Sequence, residues 1–398
     1  MTFEMLETQN LGAVIKVIGV GGAGGNAVQH MINRGVSGVE FICANTDAQA
    51  LARSTAGSRI QLGKTGLGAG AKPEAGRAAA EEARARIAEA LADAHMVFIT
   101  AGMGGGTGTG AAPVVAQIAK ELGVLTVAVV SKPFGFEGSR KMRMADEGLE
   151  QLSANVDSLI IILNEKLEEV MGEDAEMEAC FKSADDVLHN AVAGIAEIIN
   201  IEGLVNVDFE DVKTVMSEQG KAMMGTAVAA GIDRARIAAE QAVTSPLLEG
   251  VDLSGARGVL VNITASRSLK LRETRTVMET IRAFAAEDAT VIFGTVYDDT
   301  MEDRLRVTVV ATGLGRAKQR PQLVPSPVSM PVQRTGTSDA VGAMSNRNGG
   351  MGSVDYSELD VPAVIRNPRN EAAARVAALE SSGMDRLEIP AFLRKQAD

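Results

Sequence analysis

The sequence predicts an α/β protein: a parallel sheet covered by helices, one long central helix, a smaller α+β domain, and a disordered C-terminal tail. Three observations carry this. Across residues 13–164, short Val/Ile-rich runs alternate with segments of helical period, the pattern of a parallel sheet covered on both faces. Two glycine-rich junctions, at residues 19–26 and 104–110, each join such a run to a helix. Beyond residue 316 periodicity stops, and Pro321, Pro325, Pro327 and Pro331 lead into Ser/Gly/Asn/Met-rich sequence of linker type.

Strands are expected at residues 14–20, 39–44, 96–100, 125–130 and 158–163, with helices at 26–34, 74–94, 111–122 and 142–154. In the helix expected at 184–199, Val187, Leu188, Ala191, Val192, Ile195, Ile198 and Ile199 fill more than one stripe. It should therefore be buried on several sides, as a helix between two domains would be. Helices at 212–231, 234–244 and 273–286 and strands at 258–265, 290–296 and 305–311 follow in the less regular order of an α+β unit. The expected division is a flexible N-terminus (1–9), a first domain with the central helix (10–206), the α+β domain (207–316), the linker (317–384) and a terminal peptide (385–398). In that peptide Ile389, Pro390, Phe392 and Leu393 gather apolar groups at the end of a polar tail, a pattern suited to folding onto a partner groove.

Composition narrows the function. A chain of 398 residues, 46% hydrophobic and 23% charged, has ample material for a core. A net charge of −12 without any tryptophan or basic–aromatic run argues against nucleic acid as the main partner. No apolar stretch approaches the roughly 18 residues of a membrane span, so direct membrane insertion is not expected, and the acidic first ten residues do not read as a signal peptide. Cys43 and Cys180 form no CxxC pair, which fits a reducing cytoplasm without a zinc site. The three histidines, His30, His95 and His189, are well separated, so no metal cluster or His-based triad is expected.

The glycine junctions carry the chemistry. Gly104-Gly105-Gly106-Thr107-Gly108-Thr109-Gly110 brings backbone N–H groups, two hydroxyls and a helix start to one place, a combination suited to a polyphosphate. Gly19, Gly21 and Gly24 satisfy the GxGxxG fingerprint of a Rossmann-like dinucleotide site, and Asp47 follows where a ribose-binding acid would sit. Taken alone, that segment favours an NAD-dependent oxidoreductase. Two rich loops at different strand ends of one sheet instead suggest a mononucleotide with a longer phosphate chain. Gly63-Lys64-Thr65 has the ending of a Walker A loop but the wrong spacing, and reads as a plain loop.

Taken together these segments resemble the bacterial FtsZ family of cell-division proteins, relatives of tubulin. The GGGTGTG run at 104–110 is the tubulin-type signature. Asn45-Thr46-Asp47, Phe136-Glu137-Gly138, the NxDxxD pattern at Asn206, Asp208 and Asp211, and Ile389-Pro390-Ala391-Phe392-Leu393 match family segments in the right order. The resemblance implies a tubulin-like fold and a GTPase that binds GTP or GDP with Mg²⁺. The phosphates would be held by Gly21, Gly22, Ala23, Gly24, Gly25 and Asn26 together with Gly104, Gly105, Gly106, Thr107, Gly108 and Thr109. Guanine is carried over to Asn26 and to Asp185 or Asp186, at the expected start of the central helix. A carboxylate there accepts from the guanine N1–H and amine and rejects adenine. Glu137 is carried over to the ribose. Arg140 and Lys141 stand where many members have an arginine; a lysine lacks the bidentate fork. The catalytic residues implied are Asn206, Asp208 and Asp211, acting on the nucleotide of the next subunit in a head-to-tail polymer. The resemblance further implies cytoplasmic filaments at the mid-cell division ring, with the terminal peptide held by membrane-tethering and regulatory proteins.

Overall fold

The protein is represented by a computed structural model that describes residues 12–172, 175–201, 205, 207–218, 220–245, 255–286 and 288–314. The expected N-terminal segment, linker and terminal peptide lie outside the described residues, as does Asn206.

The first half alternates strand and helix: β1 (Ile15–Val20), α1 (Gly21–Asn33), β2 (Glu40–Asn45), α2 (Ala48–Arg53), β3 (Ser58–Gln61), α3 (Pro73–Glu82), α4 (Arg84–Leu91), β4 (Met96–Gly102), α5 (Thr107–Glu121), β5 (Leu125–Lys132), α6 (Ser139–Ser153) and β6 (Ser158–Leu163). Then come α7 (Asn164–Met171), the long α8 (Met177–Asn200) and α9 (Phe209–Met216). The second half holds β7 (Lys221–Ala230), α10 (Arg234–Val243), β8 (Gly258–Ala265), α11 (Leu271–Arg282), β9 (Thr290–Tyr297) and β10 (Arg304–Leu314). The strands lie in the order β3-β2-β1-β4-β5-β6-β7-β10-β8-β9. From β3 to β7 every pairing is parallel; β10 runs antiparallel to both β7 and β8, and β8 pairs parallel with β9.

The expected α/β class is therefore observed, and the order 3-2-1-4-5-6 of the first six strands has a definite consequence. Chain direction across the sheet reverses between β1 and β4, so a crevice opens beyond the carboxyl ends of those two strands. Both glycine junctions leave from there. Strand β1 shows how the faces are divided: Ile15 and Val17 pack with α8, whereas Ile18 and Val20 pack under α3–α5. Lys16, on the second face, is buried but donates Nζ to the Ala90 carbonyl near the end of α4, 2.9 Å away.

The central helix is buried between the two halves, as its filled stripes predict. Val192, Ile195 and Ile198 share one core with Val28 and Met31 of α1, Phe98 and Val129 of the first half, and Met224, Leu260 and Val310 of the second. Polar contacts tie it to the second half as well. Asn262 Nδ2 donates to the Gly194 carbonyl at 3.1 Å, and Arg306 donates to the Glu197 carboxylate at 3.0 Å.

Four expectations are corrected. Residues 212–231 do not form one helix: α9 ends at Met216, Gly220 takes φ +146°, and β7 pairs with β10 through most of its length. Met223, Met224 and the alanines favour helix locally, but partner strand β10 decides the outcome. The helix expected at 74–94 is two helices broken at Ala83. The short α2 and β3 were not foreseen. Finally, α8 begins at Met177, so Asp185 and Asp186 lie more than two turns inside it rather than at its start. A helix-dipole explanation for either acid is thereby removed.

Ile195 has no exposed surface and touches both halves through this core. Ile195→Ala should lower unfolding free energy by about 2–5 kcal/mol in denaturant titration; a loss below about 1 kcal/mol would show that α8 is not the keystone of the fold.

Candidate functional site

The two glycine loops meet at the crevice. Gly21 and Gly104 adopt left-handed backbone, with φ of +77° and +97°, which turns each chain from strand to helix without a side-chain penalty. Close approach fixes other glycines. A Cβ on Gly24 would stand 2.3 Å from the Thr100 carbonyl, and one on Gly108 would stand 2.4 Å from the Gly102 carbonyl. Gly22 and Gly105 differ: nothing lies within 4 Å of a Cβ built on either. The fold leaves that space open, and both glycines border it.

The open space is a cleft of about 330 Å³. Gly22, Ala23 and Asn26 of α1 line one side, and Gly104, Gly105, Gly106, Thr107 and Gly108 line another. Both helices start inside the glycine runs, after Val20 and Gly106, and neither start has a side-chain cap. Their first-turn N–H groups are thus left for a ligand, and two helix N-termini give the cleft a positive end. Thr46 Oγ1 lies 2.6 Å from Thr107 Oγ1 and so ties the exit of β2 to the second loop.

At the cleft's other walls, Glu137, Lys141 and Asp185 are also present. Glu137 accepts from the Phe134 N–H at 2.9 Å and from Lys141 Nζ at 2.9 Å. The Asp185 carboxyl is pushed up to about 6 by burial, opposed in part by the charge of His30 and reinforced by Asp186. Asp186 lies off the cleft lining, accepting from Arg34 at 2.6 Å and standing 2.7 Å from His30 Nε2. Gly21, Gly24 and Gly25 likewise do not line the cleft. Thr109 turns inward, its Oγ1 accepting from the Gly104 N–H at 2.8 Å, and Arg140 is exposed beyond the lining.

Sequence reasoning missed several lining residues. Asn164 is buried at the carboxyl end of β6, and its Oδ1 has no hydrogen-bond partner. Its signal was position alone, the first residue past a parallel strand. Phe181 lines the cleft from α8 and packs edge-on to Phe134, which stacks on Phe136, with both centroid separations 5.2 Å. Lys132, at the end of β5, borders the cleft with its Nζ held by Asp146 at 2.7 Å.

The acidic segment lies elsewhere. Asp208 caps α9, its carboxylate accepting from the Asp211 N–H at 2.8 Å, and Asp208, Glu210 and Asp211 are all exposed. Phe209 packs edge-on to His95, ring centroids 6.0 Å apart. His95 immediately precedes β4, whose other end delivers Gly104 to the cleft. Seven extended residues separate those ends, about 20 Å at roughly 3.3 Å per residue. The helix agrees: from Asp185 to its end at Asn200 spans about 22 Å. The acidic turn and the cleft are at opposite ends of one chain.

Comparison with known proteins supports a reading of the cleft. Residues 14–172 match the model of the Tubulin/FtsZ family, GTPase domain, and residues 220–315 that of the FtsZ family, C-terminal domain. The chain is 56% identical to the cell division protein FtsZ of Pseudomonas aeruginosa, with 100% of each covered, and 54% identical to that of Coxiella burnetii, with 99% of each covered. Among solved structures, an empty FtsZ dimer from M. jannaschii matches at 45% identity with a TM-score of 0.74, covering 77% of this chain and 89% of that one. The GDP-bound CetZ1 monomer of Haloferax volcanii, 18% identical with a TM-score of 0.67 over 77% of this chain and 96% of its own, shares the fold. The oxidoreductase alternative is overturned. The matched domain is a GTPase domain, and Asp47 is engaged as the cap of α2, accepting from the Gln49 and Ala50 N–H groups.

The raised Asp185 carboxyl sets a pH dependence. Its proton is held more tightly in the folded chain than in the unfolded one, so its contribution is fully present below about pH 4 and lost as pH rises through about 6. Asp185→Asn should flatten that component of the stability profile in denaturant titrations from pH 4 to 7. Superimposable profiles for the two proteins would contradict it.

Proposed function

The chain belongs to the FtsZ family of cell-division GTPases, and from that premise we propose that it hydrolyses GTP at a site completed by a second copy of itself. One copy holds the nucleotide in the cleft between its glycine loops; the next supplies the acidic turn. The observation that supports this division is the contact of Phe209 with His95, which sets the turn about 20 Å from the loops that begin beyond β4. A head-to-tail contact brings opposite ends together, and because it does not close on itself it builds a filament.

Within the cleft, the first-turn N–H groups of α1 and α5 cradle the phosphates, Glu137 takes the ribose, and Asn26 with a carboxylate of the Asp185–Asp186 pair reads guanine. GTP and GDP both fit this scheme. Neither glycine loop carries a carboxylate, and among the described residues no group of three His, Cys, Asp or Glu is placed to hold a metal ion. Mg²⁺ bound with the triphosphate would be held by phosphate oxygens and water and would offset their charge. From the neighbouring copy, Asp211 approaches with a carboxylate that has no hydrogen-bond partner among the described residues, whereas Asp208 keeps one oxygen on the cap of α9. Together with Asn206 they orient the attacking water and accept its proton, an effect of about 10²–10⁴-fold.

Residues 10–206 then act as the nucleotide-holding domain and 207–316 as the domain that delivers the turn. Among the described residues no helix is long and apolar enough to cross a membrane. Attachment of filaments at the mid-cell ring is assigned to Ile389, Pro390, Phe392 and Leu393, bound by membrane-tethering or regulatory proteins.

GTP turnover measured against protein concentration tests this reading. Turnover per subunit should be near zero below a critical concentration and rise above it; a constant value on dilution would exclude a shared site. Asp211→Ala should retain GTP binding while losing about 10²-fold or more in turnover, and loss of binding would place the turn in its own subunit's cleft.

A further inference from the structure

A run of glycines does not hold its own shape. Gly104, Gly105 and Gly106 carry no side chains to restrict them, and Gly104 takes a φ of +97°. Packing does not hold the middle of the run either, since nothing lies within 4 Å of a Cβ built on Gly105. One buried hydrogen bond closes the loop on itself: the Gly104 N–H donates to Thr109 Oγ1 at 2.8 Å. Thr109 is the third residue of α5, and its hydroxyl reaches back past the uncapped helix start at Gly106. The third residue of a capping box does the same over a shorter distance. Thr107 lines the cleft, whereas Thr109 is 3% exposed and does not.

The other branch of Thr109 is set by α6. A Cβ built on Gly148 would fall on Thr109 Cγ2 and stand 2.8 Å from Met103 Cε, so glycine is what lets α6 lie against this methyl. About two turns earlier on the same helix, the Lys141 carbonyl stands 2.9 Å from a Cβ built on Gly104. Helix α6 therefore presses on both ends of the hydrogen bond, on the Gly104 backbone near its start and on the Thr109 methyl at Gly148. A β-branched side chain is stiff at χ1, and methyl and hydroxyl share one carbon. Seating the methyl on Gly148 thus aims the hydroxyl at the Gly104 N–H.

Resting on the reading of the cleft as a nucleotide site, we propose that Thr109 is the positioning residue of the second glycine loop and that Gly148 of α6 sets its rotamer. The Thr109 hydroxyl does not touch the nucleotide. It fixes residues 104–109 before a ligand arrives, so phosphate binding does not have to order a chain of glycines. Serine would supply the hydroxyl without the methyl, and valine the methyl without the acceptor; threonine carries both.

GTP affinity of the dilute full chain tests this, together with amide hydrogen exchange at residues 103–106 in the nucleotide-free protein. Thr109→Val leaves the Gly104 N–H without its acceptor, so it should weaken GTP binding about tenfold and speed that exchange. Gly148→Ala, which lies off the cleft lining, should weaken binding about fivefold by displacing the Thr109 methyl. Adding Thr109→Ser to Gly148→Ala removes the methyl that is struck and keeps the hydroxyl, and should restore most of the affinity. GTP binding by Thr109→Val equal to that of the unaltered chain would overturn the positioning role, as would a Gly148→Ala loss that serine does not relieve. Weaker binding by Thr109→Val with unchanged exchange would make the hydroxyl a direct ligand and would also overturn it. Should Gly148→Ala fail to fold, the affinity and exchange of Thr109→Val decide alone. Failure of the unaltered chain to bind GTP would overturn the nucleotide reading of the cleft itself, which all the other outcomes leave standing.

Discussion

The direction of the parallel strands is the constraint on which everything else depends. Because β1, β4, β5 and β6 all run the same way, their exits coincide, and one face of the sheet edge collects both glycine loops, Glu137, Lys132 and Asn164. The same polarity sends whatever lies at the strand entrances to the far end. His95 stands at the entrance of β4, and Phe209 packs on it, so the acidic turn is fixed at that far end by a contact with the first half of the fold. Helix α8 reinforces the separation, since Phe181, Ala184, Asp185 and Leu188 in its first half line the cleft and its later, buried turns lead away from it. No bending of a surface loop removes about 20 Å of packed strand and helix.

At the cleft, backbone rather than side chains offers most of the groups a ligand would meet. The carbonyls of Thr100 and Gly102 sit where the Cβ atoms of Gly24 and Gly108 would be, so strand and helix backbones pack directly and the loops are held rigid before any ligand arrives. Preorganised N–H groups need no rearrangement when a charged ligand enters, which is where such sites gain their strength. Of the charged side chains that line it, Lys141 pairs with Glu137 and Lys132 with Asp146, while Asp185 is a half-buried carboxyl pushed up to about 6 by burial. The phosphate side of the cleft is thus a shaped set of backbone dipoles, and on the reading proposed above the carboxylate that the chemistry requires comes from Asp211 of the next copy.

Much of this was legible in the sequence. Val/Ile-rich runs can only be buried strands, and five glycines within seven residues can hardly serve anything but close backbone approach, so the parallel half and its loops could be read directly. Residues 212–231 read as helix because their Met and Ala residues favour helix locally; the decision belongs to β10, some eighty residues away. The expected start of α8 falls too late because its regular apolar stripes begin only at Ala184, while in its first two turns Met177, Glu178, Phe181 and Lys182 are exposed. That error mattered for the site, since it made Asp185 and Asp186 look equivalent. Only three-dimensional packing separates them, sending Asp185 to the cleft and Asp186 to His30 and Arg34. Asn164, an unremarkable polar residue after a strand, carries no composition signal at all.

The most direct measurement of a site shared between copies is complementation in a mixture. A Cβ built on Gly105 meets nothing within 4 Å, so Gly105→Val should fold yet, by projecting into the cleft, fail to hold GTP. Asp211→Ala should hold GTP yet fail to hydrolyse it on its neighbour. Neither alone should turn over GTP, but a mixture pairs an intact cleft with an intact turn at some junctions. Shared-site hydrolysis predicts turnover in the equimolar mixture at about a quarter of the unaltered protein's rate, falling away on dilution. A mixture as inactive as its components, although it assembles, would contradict it.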